Sequence, residues 1–209
     1  MFFRQKELNS QALGRILRHT AQSLGLQIRG DGFCQLQDIL ALDEFTTMAA
    51  TVEDVQVAVQ CDSKKRLEMK IEADKVLIRA VNGHSMKAVD DDSLLKRLNA
   101  EDPNLPKVCV HGTYKRHVAS IQRPGRQNGL RVGGRNHVHF APYEPHDGRV
   151  LSGMRFSVAI YIDLPTAIRE GVPFFQSGNE VILSPGINGT VPAKYISKVG
   201  RFSTSLLRT

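Results

Sequence analysis

Arg66-Leu67-Glu68-Met69-Lys70-Ile71, then Lys75-Val76-Leu77-Ile78-Arg79-Ala80-Val81, with Ala73-Asp74 between them, is the stretch that decides the fold of the first half of this chain. The first run alternates apolar and charged residues, the pattern of a strand whose side chains point to opposite faces in turn. Ala73-Asp74 turns it into the second run, so residues 66–81 read as a hairpin. Upstream the chain reads as helices separated by turns. Ser10 can cap a helix running to about Leu24, with Leu13, Ile16, Leu17, Ala21 and Leu24 as its apolar stripe. Arg18 and His19 fall outside that stripe and are open to solvent or ligand. Gly25 suits the position just past the helix end.

Gly30-Asp31-Gly32 forms a turn into Phe33-Cys34-Gln35-Leu36, and Leu36, Ile39 and Leu40 suggest a short second helix. Val52 to Val59 suggests a third, capped near Thr51 with Asp54 in its first turn. Helices followed by a hairpin read as a winged-helix lobe. Residues 86–106, with Asp90-Asp91-Asp92, Asn104 and two prolines, read as a linker. The second half is richer in strands, expected at 137–140, 157–163, 173–176 and 180–183. A helix is expected over Lys115–Gln122, closed by Pro124-Gly125 and Gly129. Residues 141–153 read as a loop and 199–209 as a basic tail.

In the second half, Arg135-Asn136-His137-Val138-His139 follows two glycines. Val138 and Phe140 read as the apolar face of a short strand, which puts Arg135, His137 and His139 together on the other face. Such a row suits an anion. It also suits a solvated surface or a pair of metal ligands, although zinc needs a third or fourth ligand and no Cys-x-x-Cys or His-Glu-x-x-His is present.

At 209 residues the chain allows one domain or two small lobes, and 41% apolar content is ordinary for a globular protein. Three well-separated cysteines, Cys34, Cys61 and Cys109, argue for reduced thiols in an intracellular protein, cytoplasmic or nuclear. No segment approaches the apolar length of a membrane span, and Met1–Glu7 has no apolar run of signal-peptide length. The net charge of +7 and a pI near 9.5 favour an anionic partner. Between Asp102 and Glu144 there is no acidic residue, while Lys107, Lys115, Arg116, Arg123, Arg126, Arg131 and Arg135 lie in that window. That is a polyanion footprint, or equally a solvated basic surface. Trp is absent and no aromatic RNA-binding signature occurs, so base stacking does not lead. Neither a phosphate-binding Gly-x4-Gly-Lys-Ser/Thr loop nor a Gly-x-Gly-x-x-Gly is present.

Several short motifs, in order, resemble the RNA 2′-phosphotransferase family over about residues 10–198. They are Leu17-Arg18-His19, Asp31-Gly32-Phe33, Lys65-Arg66-Leu67, Ile78-Arg79-Ala80, Gly83-His84-Ser85, His111-Gly112-Thr113, Gly129-Leu130, Arg135-Asn136-His137-Val138-His139 and Phe174-Phe175-Gln176-Ser177-Gly178-Asn179. Ser152-Gly153-Met154-Arg155 is similar to the eukaryotic branch. The resemblance implies an α+β chain with a winged-helix lobe at 1–85, the linker at 86–106, and an ADP-ribosyltransferase-like lobe at 107–209. It implies an Arg-His-Arg-Arg catalytic set at Arg18, His19, Arg79 and Arg135. It implies an NAD+ site at His111, Gly112, Thr113, His137, Ser177, Asn179 and Val181, and RNA contacts at Lys65, Arg66, His84 and Ser85. Asn82 stands where the family usually has Gln, Glu180 where it often has Gly, and Gln11 where it has Lys.

The reaction so implied moves the splice-junction 2′-phosphate of tRNA, or of another RNA, onto NAD+. It passes through an RNA-2′-phospho-ADP-ribose intermediate to 2′-OH RNA, ADP-ribose 1″,2″-cyclic phosphate and nicotinamide, with no metal. Three guanidiniums suit a phosphate monoester, which they can hold with bidentate, charge-assisted bonds. His19 suits proton transfer near neutral pH. A monomer is expected. Two rivals stand beside this reading: an ADP-ribosyltransferase that modifies nucleic-acid phosphate ends, and a winged-helix nucleic-acid-binding protein without turnover. For single residues simpler roles remain open, such as Arg79 as a cross-strand partner of Glu68.

Overall fold

The apolar stripe of the opening helix goes inside, but the helix is not uniform. In the computed structural model, which describes residues 10–123, 128–149 and 156–201, α1 (Ser10–Arg15) runs into a π-helical turn at Ile16–Thr20 and a 3-10 turn at Gln22–Leu24. The N–H of Ala21 donates to the Ile16 carbonyl five residues back, at 2.9 Å. Leu13, Ile16, Leu17 and Ala21 are buried, whereas Leu24, expected in the stripe, is 44% exposed. The wider turn shifts the phase of the helix, and the stripe ends at Ala21. Ser10 lies in the first turn, and the residues before it lie outside the described ones. Gly25 takes the left-handed conformation (φ 75) expected past the helix end.

The chain divides between Leu94 and Leu95 into two units. In the first, β1 (Cys34–Gln35), α2 (Leu36–Leu40), α3 (Asp43–Thr46) and α4 (Val52–Gln60) precede the hairpin of β2 (Leu67–Glu72) and β3 (Lys75–Ala80). The strands form an antiparallel sheet in the order β1-β3-β2. Ala73 and Asp74 both have positive φ, the geometry of a two-residue hairpin turn. Thr51 and Asp54 form a reciprocal cap on α4, with the Asp54 N–H on Thr51 Oγ1 at 3.2 Å and the Thr51 N–H on Asp54 Oδ2 at 3.0 Å. Leu13, Ile16, Leu17, Leu36, Ile39, Phe45, Val55 and Ile78 fill the core beneath the sheet. The helix α3 carries Phe45, fully buried, but is too short to show a helical period in sequence.

Residues 86–106, expected as a linker, carry α5 (Asp91–Leu94) and β4 (Lys96–Arg97). Met86 and Val89 are buried in the first unit and Leu95 and Leu98 in the second, so the segment is shared between the two.

In the second unit follow β5 (Val110–Thr113), α6 (Lys115–Gln122), β6 (Gly129–Arg131), β7 (Val138–Phe140), β8 (Val158–Ile162), α7 (Leu164–Arg169), β9 (Phe175–Gln176), β10 (Ile182–Ser184), β11 (Thr190–Pro192) and β12 (Ile196–Arg201). The sheets run β4-β9-β10-β7, β12-β8-β5 and β11-β6. A single bridge between Val110 and Ala141 links β5 to the chain leaving β7. Phe140, Phe174, Ile160, Leu164 and Ile182 are the centre of the core. Gly129, expected only as punctuation, starts β6. At φ 139, any Cβ there would stand 1.9 Å from the Val191 carbonyl oxygen. Val199 to Arg201, expected in a basic tail, pair with β8. Residues 202–209 and the Ser152–Arg155 motif lie outside the described residues. The whole is an α+β chain. Among the described residues no helix is long and apolar enough to cross a membrane.

Candidate active site

In the first unit the π turn places Arg18 and His19 beside the segment that follows β3. The Ser85 N–H donates to the Arg18 carbonyl at 3.0 Å, and the Ser85 hydroxyl lies 3.0 Å from His19 Nδ1. That bond fixes the orientation of the ring. The chain passes close because Gly83 has no side chain: a Cβ there would stand 3.3 Å from Arg18 Nε, at a backbone φ of 86. Gly32 does the same for the neighbouring groups, its missing Cβ lying 3.6 Å from His84 Nε2 and 3.8 Å from Arg79 Cβ. His84 is buried and Ser85 half-buried. Arg18, His19, Arg79, His84 and Ser85 therefore gather around two glycines.

Arg79 is held on every nitrogen. Its Nε and Nη2 bind Glu68 Oε2 at 2.9 and 2.8 Å, its Nη1 donates to the Asp31 carbonyl at 3.0 Å, and its guanidinium lies 4.5 Å from the Phe33 ring. The cross-strand partnership with Glu68 is thus present, in register, opposite residues facing each other. Asp31-Gly32-Phe33 does more than make the expected turn. It also seats Arg79.

Next to this group lies a pocket of about 220 Å³ that reaches from Arg18 and His19 to Asp62 and Arg66. Burial pushes the Asp62 carboxyl up, but the Arg66 side chain and the backbone N–H groups of Arg66 and Lys64 outweigh it and hold the group below its usual 3.8. Lys65, another expected RNA contact, is exposed and left-handed (φ 44).

In the second unit His111, Gly112 and Thr113 lie on β5, His137 immediately precedes β7, and Ser177, Asn179 and Val181 lie in the turn between β9 and β10. His111 on β5 donates from Nδ1 to the His139 carbonyl at 2.9 Å, and His139 donates from Nδ1 to the His137 carbonyl at 3.1 Å. His137 is buried with its ring edge-on to Phe175, and His111 is edge-on to Phe140. With Nδ1 donating, a neutral His111 presents Nε2 as an acceptor. Burial lowers its pKa, the carbonyl bond opposing only in part, so the neutral form prevails at pH 7. Gly112 is demanded by packing, since a Cβ there would stand 2.4 Å from the Phe156 ring. Thr113 is buried.

Ser177 closes the turn between β9 and β10. Its hydroxyl lies 2.8 Å from Asn179 Oδ1 and 3.2 Å from the Val181 carbonyl, and its N–H donates to that same carbonyl at 3.0 Å. Glu180 holds the left-handed corner (φ 67) and accepts from the Tyr143 hydroxyl at 2.9 Å. Arg135 is a correction to the single row expected of residues 135–139. It sits, exposed, in the turn before β7, outside the strand that carries His139.

Burial pushes the Cys34 thiol up to about 11 and Cys109 well above its usual value, so neither is a thiolate nucleophile at neutral pH. Among the described residues no three His, Cys, Asp or Glu side chains group as metal ligands.

The sequence pattern described as RNA 2'-phosphotransferase, Tpt1 / KptA family, matches residues 4–186. The chain belongs to that family. Its relatives include tRNA 2'-phosphotransferase 1 of Danio rerio, 38% identical over 92% of this chain and 84% of its own length. The human tRNA 2'-phosphotransferase 1 is 40% identical over 90% of this chain and 73% of its own length. A probable RNA 2'-phosphotransferase of Pseudomonas syringae is 29% identical over 94% and 96%. Of the two carboxylates that seat Arg79 and Arg66, Glu68 is the cross-strand partner that the sequence offered for Arg79, whereas Asp62 is the one the sequence did not single out. A lone acid near an arginine in sequence carries no distinctive signal; only the turn before β2 brings that pair together.

Proposed function

We propose that this protein is an NAD+-dependent RNA 2′-phosphotransferase that removes the splice-junction 2′-phosphate from tRNA or another RNA. The observation that carries the reading is the gathering of Arg18, His19 and Arg79 around Gly32 and Gly83, with His19 oriented by Ser85. A phosphate monoester bears close to two negative charges, and separately anchored guanidiniums match its oxygens. Arg135, in the second unit, carries the same assignment by its motif.

NAD+ is a substrate in this scheme, and the second unit's donor set fits it. The neutral, half-buried His111 offers an acceptor for a ribose hydroxyl, and the Ser177–Asn179 turn offers further polar groups. Gly112 lets the backbone of β5 lie flat against Phe156. In the first step a 2′-phosphate oxygen bonds to C1″ of the nicotinamide ribose, and the C–N bond breaks with its electrons leaving on nicotinamide. In the second step O2″ bonds to phosphorus while its hydroxyl proton passes to solvent, and the phosphorus bond to the RNA O2′ breaks. The arginines hold the charge on the phosphoryl oxygens as it redistributes. His19 delivers the proton that the departing O2′ needs.

The test is to incubate the protein with NAD+ and an RNA oligonucleotide bearing one internal 2′-phosphate. Nicotinamide release is expected only when the 2′-phosphate is present. No release above the rate with unphosphorylated RNA would end this reading. RNA that stays ADP-ribosylated would mean an ADP-ribosyltransferase that stops after the first step.

A further inference from the structure

The pocket beside Arg18 and His19 contains a second, differently built cation. One carboxylate, Asp62, with its side chain only 3% exposed, receives five bonds. Arg66 gives it Nη2 at 2.8 Å, Nε at 3.1 and 3.2 Å and its own N–H at 2.7 Å, and the Lys64 N–H adds one at 3.2 Å. The guanidinium is gripped side-on through Nε and Nη2. The Nη1 edge stays available for a ligand. Arg15 lines the same pocket but is tethered only to the exposed Glu44, at 2.8 Å, with both side chains about half exposed. Of Arg15 and Arg66, it is Arg66 that is held by a buried partner before a ligand arrives.

A guanidinium already matched by a buried carboxylate contributes little to long-range attraction. Its value is position: a donor held in place loses no rotamer freedom when it binds. In the proposed reaction Arg18, His19 and Arg79 are committed to the 2′-phosphate. The remaining anions of an RNA strand next to that phosphate are its phosphodiesters.

Resting on the function proposed above, we infer that Asp62 is a positioning residue that aims Arg66 at the phosphodiester next to the 2′-phosphorylated nucleotide. The Asp62–Arg66 pair thereby sets the register of the RNA so that the 2′-phosphate falls on Arg18 and His19. It selects for a 2′-phosphate within a strand over one on a free nucleotide.

A cycle between protein and RNA tests this. Wild type, Asp62→Asn and Arg66→Ala are each assayed for nicotinamide release on three RNAs. One is natural; in the others the phosphodiester on the 3′ or the 5′ side of the 2′-phosphate is an uncharged methylphosphonate. Removing the contact is expected to raise KM about 10-fold with kcat little changed, whether the change is made in RNA or protein. At one of the two positions the effects are expected not to add, because both changes delete one interaction. Additive effects at both positions would overturn the inference, as would unchanged KM in both variants. Arg66→Ala alters a part-exposed side chain and keeps the test open if Asp62→Asn melts early. Failure of the proposed function looks different: wild type then releases no nicotinamide on any of the three RNAs.

Discussion

The two units hold their functional side chains by different means. In the first, arginines are seated by carboxylates: Arg79 by Glu68, Arg66 by Asp62. In the second, histidines are seated by main-chain carbonyls, His111 on His139 and His139 on His137, and a glycine is held against a ring. The difference follows from what each would bind. A doubly charged phosphate calls for full positive charges, and full charges stay put only against opposite ones. A ribose hydroxyl or amide calls for a neutral acceptor, and a carbonyl fixes an imidazole tautomer without charging it. The first unit is therefore sensitive to changes of charge and the second to changes of packing and strand register.

The largest expected effect breaks the charged side of the comparison. Arg18→Ala and Arg79→Ala should each lower the rate of nicotinamide release by about 10²–10³-fold, the typical cost of one lost charge-stabilising donor. Glu68→Gln separates the two roles of Arg79, because the Asp31 carbonyl and the Phe33 ring still hold the guanidinium. A loss far smaller than that of Arg79→Ala is expected. Equal losses would mean that Arg79 serves only as a cross-strand partner.

Gly112→Ala breaks the packed side. The new methyl meets Phe156, and such overpacking typically costs about 1–3 kcal/mol, read as a lower unfolding midpoint. NAD+ binding should weaken with it, while the affinity for 2′-phosphorylated RNA should hold.

The smallest effect is one of pH, and it separates the two kinds of seat. His111 has its folded pKa lowered by burial, below its ordinary 6.5. Its contribution to stability is fully present above 6.5 and is lost as pH falls through the lower folded value. Asp62, also depressed, contributes above its ordinary 3.8 and loses that contribution only as pH falls through its lower folded value. In wild type the second unit should begin to weaken in a pH window above that of the first. His111→Asn should flatten the upper window in a pH series of unfolding curves. An unchanged slope would mean that His111 is not the titrating group.

Much of this was legible in the sequence where a period or a special residue marked it. The hairpin of residues 67–80 showed its alternation and its turn, the cap at Thr51 its Asp54, and α6 its full span. Arg18, His19 and Arg79 lie near one another in the first unit, around Gly32 and Gly83. What did not show was geometry that depends on distant partners. The π turn needs an Ala21-to-Ile16 bond that no propensity announces, so the stripe was extended one turn too far, to Leu24. The strands β4, β6 and β11 are two or three residues long, too short to alternate. Arg135 reads as sharing a face with His137 and His139 because its spacing fits a period of two, whereas Gly133 and Gly134 set up a turn there. Asp62 acquires its role only once the turn before β2 is formed.

The most direct measurement follows the phosphorus. A ³¹P NMR time course with NAD+ and 2′-phosphorylated RNA should show the phosphate monoester signal replaced by that of a cyclic phosphodiester no longer attached to RNA. Free inorganic phosphate, or a monoester signal that persists with NAD+ present, would contradict the account.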